Sequence, residues 1–215
     1  MIVTIDGYDG TGKTTLARNI AKEKNFIYIE KPFILKYFFE HNCSFEEAVK
    51  ATMIEEKELY SNGSIQDKIK YYLDGIIWLN TIKDMTNIVL DRGVLTTYAV
   101  FGSRETEDIF KKYIDDGIAF DLSFYLMADD LERRRRIILN DPNDPDLKYP
   151  IKWRENNLEE FANESNVNYF KIQTDDISRE DVSSLAIDYL EDNYDLNSST
   201  IITGESLVKC LRKLK

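Results

Sequence analysis

The stretch M-I-V-T-I-D-G-Y-D-G-T-G-K-T-T at the start of the chain limits its possible folds more than any other. Ile2, Val3 and Ile5 form an apolar, β-branched run that reads as a buried strand. The run stops at Gly7, and Gly7-Tyr8-Asp9-Gly10-Thr11-Gly12-Lys13-Thr14 has the spacing G-x-x-x-x-G-K-[ST]. Leu16, Ala17, Ile20 and Ala21 then mark one helical face, so the strand–loop–helix context of this motif is complete. Glycines let such a loop turn its amides inward onto an anion, and the helix start adds a positive dipole end. Lys13, expected exposed, is placed to reach phosphate oxygens, and Thr14 to offer its hydroxyl to Mg²⁺. A glycine-rich turn that binds nothing has no need of this context.

Strands are predicted at Phe26–Ile29, Ile88–Leu90, Leu122–Leu126 and Tyr169–Ile172. Between them the pattern predicts helices. An aromatic one runs over Phe33–Glu40. A second starts at Ser44 with a Ser44/Glu47 capping box and ends near Asn62-Gly63. A long helix covers Ser64 to about Thr86, and others start at Asp129 and cover Trp153–Ser165 and Ser178–Asp192. Asn140–Pro150 reads as loop, and a mobile flap suits that place. Residues 197–199 read as a linker and 205–215 as a short basic helix. The alternation predicts an α/β fold, a five-stranded parallel sheet with helices on both faces. A chain of 215 residues suffices for one such domain, placed at 1–192 with a tail at 193–215.

A net charge of −11 argues against a nucleic-acid polymer as main partner, since that requires a basic face. No apolar stretch approaches the roughly 18 residues of a membrane span, so no membrane partner is expected. The first strand leaves no room for a signal peptide, and Cys43 and Cys210 belong to no paired spacing. A cytoplasmic protein with free thiols is the expectation.

Ligands of open α/β sheets lie beyond the C-terminal ends of the strands. Glu30 closes the second strand there, and Phe33 follows among aromatics suited to wall a base pocket. Asp91-Arg92 closes the third. Asp91 stands where a carboxylate holds Mg²⁺ through water, and Arg92 can grip a phosphate bidentately. Arg133, Arg134, Arg135 and Arg136 cannot share one helical face, so only some of them turn toward phosphates.

Three stretches resemble the thymidylate kinase family of P-loop nucleoside-monophosphate kinases: D-G-Y-D-G-T-G-K-T-T, D-R-G-V-L-T-T-Y-A-V-F-G from Asp91 to Gly102, and D-L-S-F-Y-L-M-A-D-D before the arginines. The resemblance to deoxynucleoside kinases is somewhat weaker. The resemblance implies a P-loop NTPase fold with a short lid at about 133–150, and ATP with Mg²⁺ acting on a small nucleotide, dTMP going to dTDP. It implies Lys13 and Arg92 as catalytic residues. Gly7, Tyr8, Asp9, Gly10, Thr11, Gly12, Lys13, Thr14, Thr15 and Arg133 to Arg136 would bind ATP, and Thr14 and Asp91 the metal. Asp9, Glu30, Phe33, Arg92, Thr96 and Thr97 would bind the acceptor, with Asp9 at the sugar 3′-hydroxyl. A homodimer stays open.

The acceptor side departs from the family. The second strand ends Glu30-Lys31-Pro32-Phe33 where R-E-P-G-G is usual, Asp74 stands at a common arginine, and Phe101 replaces a glutamine. A deoxynucleoside kinase with Glu30 as general base therefore remains open. So does an ATP-binding regulatory switch without an acceptor, although the chain has no N-K-x-D tetrapeptide for guanine.

Overall fold

A computed structural model describes residues 1–118, 120–144, 147 and 152–196, without the side chains of 152–157. The expected linker and basic helix, Cys210 and most of the flap beyond 144 lie outside the described residues. The sheet is built from β1 (Ile2–Gly7), β2 (Ile27–Ile29), β3 (Ile88–Asp91), β4 (Leu122–Met127) and β5 (Tyr169–Gln173). All pairings are parallel, in the order β2-β3-β1-β4-β5. Connections leave the central β1 toward β2 on one side and, from β3, toward β4 on the other. This makes the crevice above β1 and β3 the natural ligand site.

The helices are α1 (Lys13–Lys24), α2 (Pro32–His41), α3 (Phe45–Asn62), α4 (Ile65–Trp78), α5 (Val94–Phe101), α6 (Glu107–Asp115), α7 (Asp130–Asn140), α8 (Lys152–Glu164) and α9 (Arg179–Asn193). The period of two along β1 sorts its side chains onto two cores. Val3 and Ile5 meet Leu16 and Ile20 of α1 and Ala186 and Leu190 of α9. Ile2 meets Leu73 of α4, Leu95 of α5 and Phe161 of α8. Tyr98 stacks on Phe161 with ring centroids 3.8 Å apart, joining α5 to α8. Among the described residues, no helix is long and apolar enough to cross a membrane.

The capping box at Ser44 forms as expected, and Ser64 with Asp67 makes a second. The long helix expected to Thr86 stops earlier. It ends at Trp78, a 3₁₀ turn covers Leu79–Thr81, and turns continue to Thr86. The apolar pattern persists because Leu79 and Ile82 stay buried, but hydrogen bonds end the helix. The Thr81 hydroxyl donates to the Trp78 carbonyl and the Asn80 amide to the Gly117 carbonyl. α5 and α6 had no counterpart among the predicted helices. α5 is rich in β-branched residues that disfavour helix and forms because Val94 to Ala99 are buried.

Candidate functional site

Beyond β1 the chain turns through the glycine loop into α1. Gly12 sits at φ +98, and a Cβ built there would meet nothing within 4 Å, so the loop faces open space at this point. No side chain caps α1 and no acidic residue sits in its first turn, unlike α3 and α4. The helix start thus presents a positive end that no side chain of its first turn neutralises. A cavity of about 570 Å³ lies over it, lined by Asp9 to Thr15, Arg92, Arg135, Arg136 and the start of α9.

Lys13 is not exposed as expected: only 4% of its surface is accessible. Its ammonium donates to the Tyr8 carbonyl at 2.8 Å and to Asp9 Oδ1 at 3.2 Å. Burial lowers its pKa below the usual lysine range, against the opposing pull of Asp9. Asp9 Oδ1 also takes the Arg92 guanidinium at 2.8 Å. The residue that resemblance assigns to a sugar hydroxyl is here the bridge between two cations.

A second cavity of about 310 Å³ opens on the far side of Arg92. Glu30, Phe33, Arg92, Thr96 and Thr97 all line it, so five of the six expected acceptor residues come together. The sixth, Asp9, lines the first cavity. Phe33 is edge-on to Tyr72, which stacks on Phe101, giving an aromatic wall. The hydroxyls of Thr96 and Thr97 are engaged: Thr96 accepts from the Gly7 N–H and Thr97 donates to the Gly93 carbonyl. Sequence reasoning missed Lys31, Glu56, Tyr60 and Tyr72 in this wall. Lys31 pairs with Glu56 at 3.0 Å, and the Tyr72 hydroxyl donates to the same carboxylate at 2.8 Å. These contacts join α2, α3 and α4, and no local pattern announces them.

Asp91 is 1% exposed. Its Oδ2 accepts from the Tyr28 hydroxyl at 3.1 Å, and burial with the Asp91 charge pushes that phenol up to about 12. Asp91 Oδ1 has no hydrogen-bond partner, which suits a cation or its water. Thr14 lines the first cavity and Asp91 acts electrostatically on Lys13; a hydroxyl and a carboxylate are the hard oxygen donors that Mg²⁺ takes. Among the described residues no group of three or more His, Cys, Asp or Glu could hold a metal.

The four arginines divide. Arg135 and Arg136 line the first cavity; Arg133 and Arg134 do not. Arg133 is buried behind the loop, donating to the Asp9 carbonyl at 3.3 Å and to Asp130 at 3.0 Å. Arg136 donates to the carbonyls of Gly10 at 3.4 Å and Thr174 at 2.6 Å. Arg134 binds Asp130 and the Leu147 carbonyl. Arg135 and Arg136 hold Glu132, whose carboxyl drops to about 2. Residues 133–140, where the resemblance places the start of a lid, are helix braced to the glycine loop.

No protein-family model matches the chain. A cytidylate kinase of Fusobacterium nucleatum is 32% identical over 120 residues, 42% of this chain, and the chain spans 55% of that relative's length. The solved deoxyadenosine kinase from M. mycoides with dCMP and dCDP bound is similar at a TM-score of 0.57 and 18% identity, over 89% of this chain and 100% of that one. Thymidylate kinase from Candida albicans is similar at 0.54 and 14%, over 89% and 91%. These structures share one architecture across several acceptors and do not single out thymidylate kinases. The chain has the fold of the P-loop nucleotide kinases.

Proposed function

We propose that the chain transfers the γ-phosphoryl group of ATP to a nucleoside monophosphate. One observation carries the reading: Arg92 lines both cavities, so a group handed from one to the other passes its guanidinium. Phosphoryl transfer asks chiefly for positioning and charge stabilisation. Loop amides and Lys13 hold the donor, and Arg92 clamps the acceptor phosphate and steadies the transferred group. Mg²⁺ on Thr14 and Asp91 supplies neutralising charge between the phosphates. A monophosphate is largely ionised at neutral pH and needs no base. A regulatory switch without an acceptor would have no use for the second cavity. dTMP is the acceptor the resemblance points to, and a cytoplasmic setting and a 1–192 domain belong to the same proposal.

A second reading has its own support. The acceptor wall sets Glu30 and Glu56 against Lys31 and Arg92, and those cations already pair with Glu56 and Asp9. No excess positive charge greets a dianion, whereas a neutral nucleoside needs none. Its hydroxyl would require a base, and Glu30 stands in the wall for it.

A transfer assay with ATP and Mg²⁺ across nucleosides and monophosphates, dTMP first, tests both. Turnover of a monophosphate that largely survives Glu30→Gln supports the first. Turnover of a nucleoside that falls by about 10²–10⁴-fold in Glu30→Gln replaces it with the second. Absence of transfer to every acceptor rejects both.

A further inference from the structure

Asp6 lines neither cavity. It lies on β1, is fully buried, and accepts four hydrogen bonds. Oδ1 takes the backbone N–H of Gly93 at 2.8 Å and of Thr96 at 2.7 Å. Oδ2 takes the hydroxyls of Thr4 and Ser123, each at 2.7 Å. The two amides belong to the start of α5, where helices leave N–H groups unpaired and carry a positive dipole end. α5 has no side-chain cap at its own N-terminal residue, Gly93. Asp6 supplies that cap from 87 residues away.

What the cap fixes is the corner Arg92-Gly93. Arg92 sits at φ +83, a left-handed conformation that strains a non-glycine residue. Such conformations persist only where the surroundings over-determine them. Here the Arg92 N–H donates to the Ile5 carbonyl at 3.0 Å, one residue before Asp6. The next residue is pinned to Asp6 itself, and it can only be glycine. A Cβ at Gly93 would lie 2.6 Å from Thr4 Cβ and 2.7 Å from Asp6 Oδ2. From the same turn of α5, the Thr96 hydroxyl oxygen accepts the N–H of Gly7 at 3.2 Å, at the end of β1 where the glycine loop begins. One buried carboxylate thus reaches the corner that carries Arg92 and, through Thr96, the root of the loop that cradles the donor.

We infer that Asp6 is a positioning residue for transfer: it holds the Arg92 corner at the junction of the two cavities and registers it against the glycine loop. This rests on the kinase reading above and adds a residue that touches neither substrate. Thr4 and Ser123, by contrast, bond Oδ2 and do not hold the corner.

The test compares kinetics and melting of Asp6→Asn, Arg92→Ala, the double variant and Ser123→Ala with wild type. The asparagine oxygen can still accept both amides and its NH₂ can donate to both hydroxyl oxygens, so the substitution keeps the shape and the bonding pattern. The bonds to the corner lose their charge assistance. kcat is expected to fall by about 10–10²-fold, the scale of small misplacements of a reacting group, while KM for ATP changes less than about threefold. The double variant is expected to lose no more than Arg92→Ala alone, because residues acting as a unit are non-additive. Ser123→Ala is expected to lower the melting temperature and keep kcat within about twofold, since the Oδ1 bonds remain. Thr96→Val cuts the same chain at its next link, with Thr96→Ser as the rescue, and keeps the test open if Asp6→Asn fails to fold. Wild-type kcat in Asp6→Asn, or losses that add with Arg92→Ala, overturns the inference and leaves the kinase reading standing. A wild type that transfers to no acceptor overturns the kinase reading, and the inference with it.

Discussion

Lys13 is a cation that the fold partly disarms until its ligand arrives. Burial lowers its pKa from the ordinary 10.5, and phosphate oxygens beside it would raise it again. The complex then holds more protons than the free protein, so ATP affinity should fall as pH rises toward 10.5. Lys13→Met should bind ATP about 10–100-fold more weakly, the scale of a lost charged hydrogen bond, and should lose that slope. Calorimetric titration across this range checks both, and a slope that survives in Lys13→Met would assign the proton elsewhere. The phosphate-facing role proposed for this lysine rests on local spacing. Its burial was not legible in that spacing, since Tyr8, Asp9 and the packed loop decide it. Asp6 was illegible for a stronger reason: its partners lie up to 117 residues away, and a lone aspartate in a strand announces nothing.

At the scale of elements, the sheet and most helices follow from periodicity and caps, whereas α5 defies its own propensity and forms through burial. The arginine run in α7 shows where pattern reading stops. Helical geometry says that four consecutive residues point four ways, but not which carbonyls and carboxylates await them. Arg136 ties α7 to Gly10 and Thr174, whereas Arg135, at the edge of the first cavity, pairs with Glu132 on its own helix. Arg136→Ala should therefore lower stability by about 1–3 kcal/mol and raise KM for ATP by loosening the loop. Arg135→Ala should leave melting unchanged. Melting curves and ATP kinetics on the pair decide whether α7 acts as a brace. Equal melting of the two variants would show that it does not.

For the molecule as a whole, stability and activity meet at Arg92. Arg92→Gly and Arg92→Ala both remove the guanidinium and its pairing with Asp9, but only glycine accepts φ +83 without strain. Arg92→Gly should melt above Arg92→Ala by about 2–4 °C, as expected for about 1 kcal/mol in a chain of this size. Both should lose transfer. Calorimetric scans check the order, and the reverse order would mean that the corner is not strained. Natural selection and a protease-resistance screen would then sort variants at this position in opposite directions. A display library enriched only for durability would drift toward glycine at this corner, and its most robust survivors would be inert. On the proposed function, competence at this corner is heritable only under selection for turnover, because the strain at φ +83 works against the arginine that its pairing with Asp9 helps to keep.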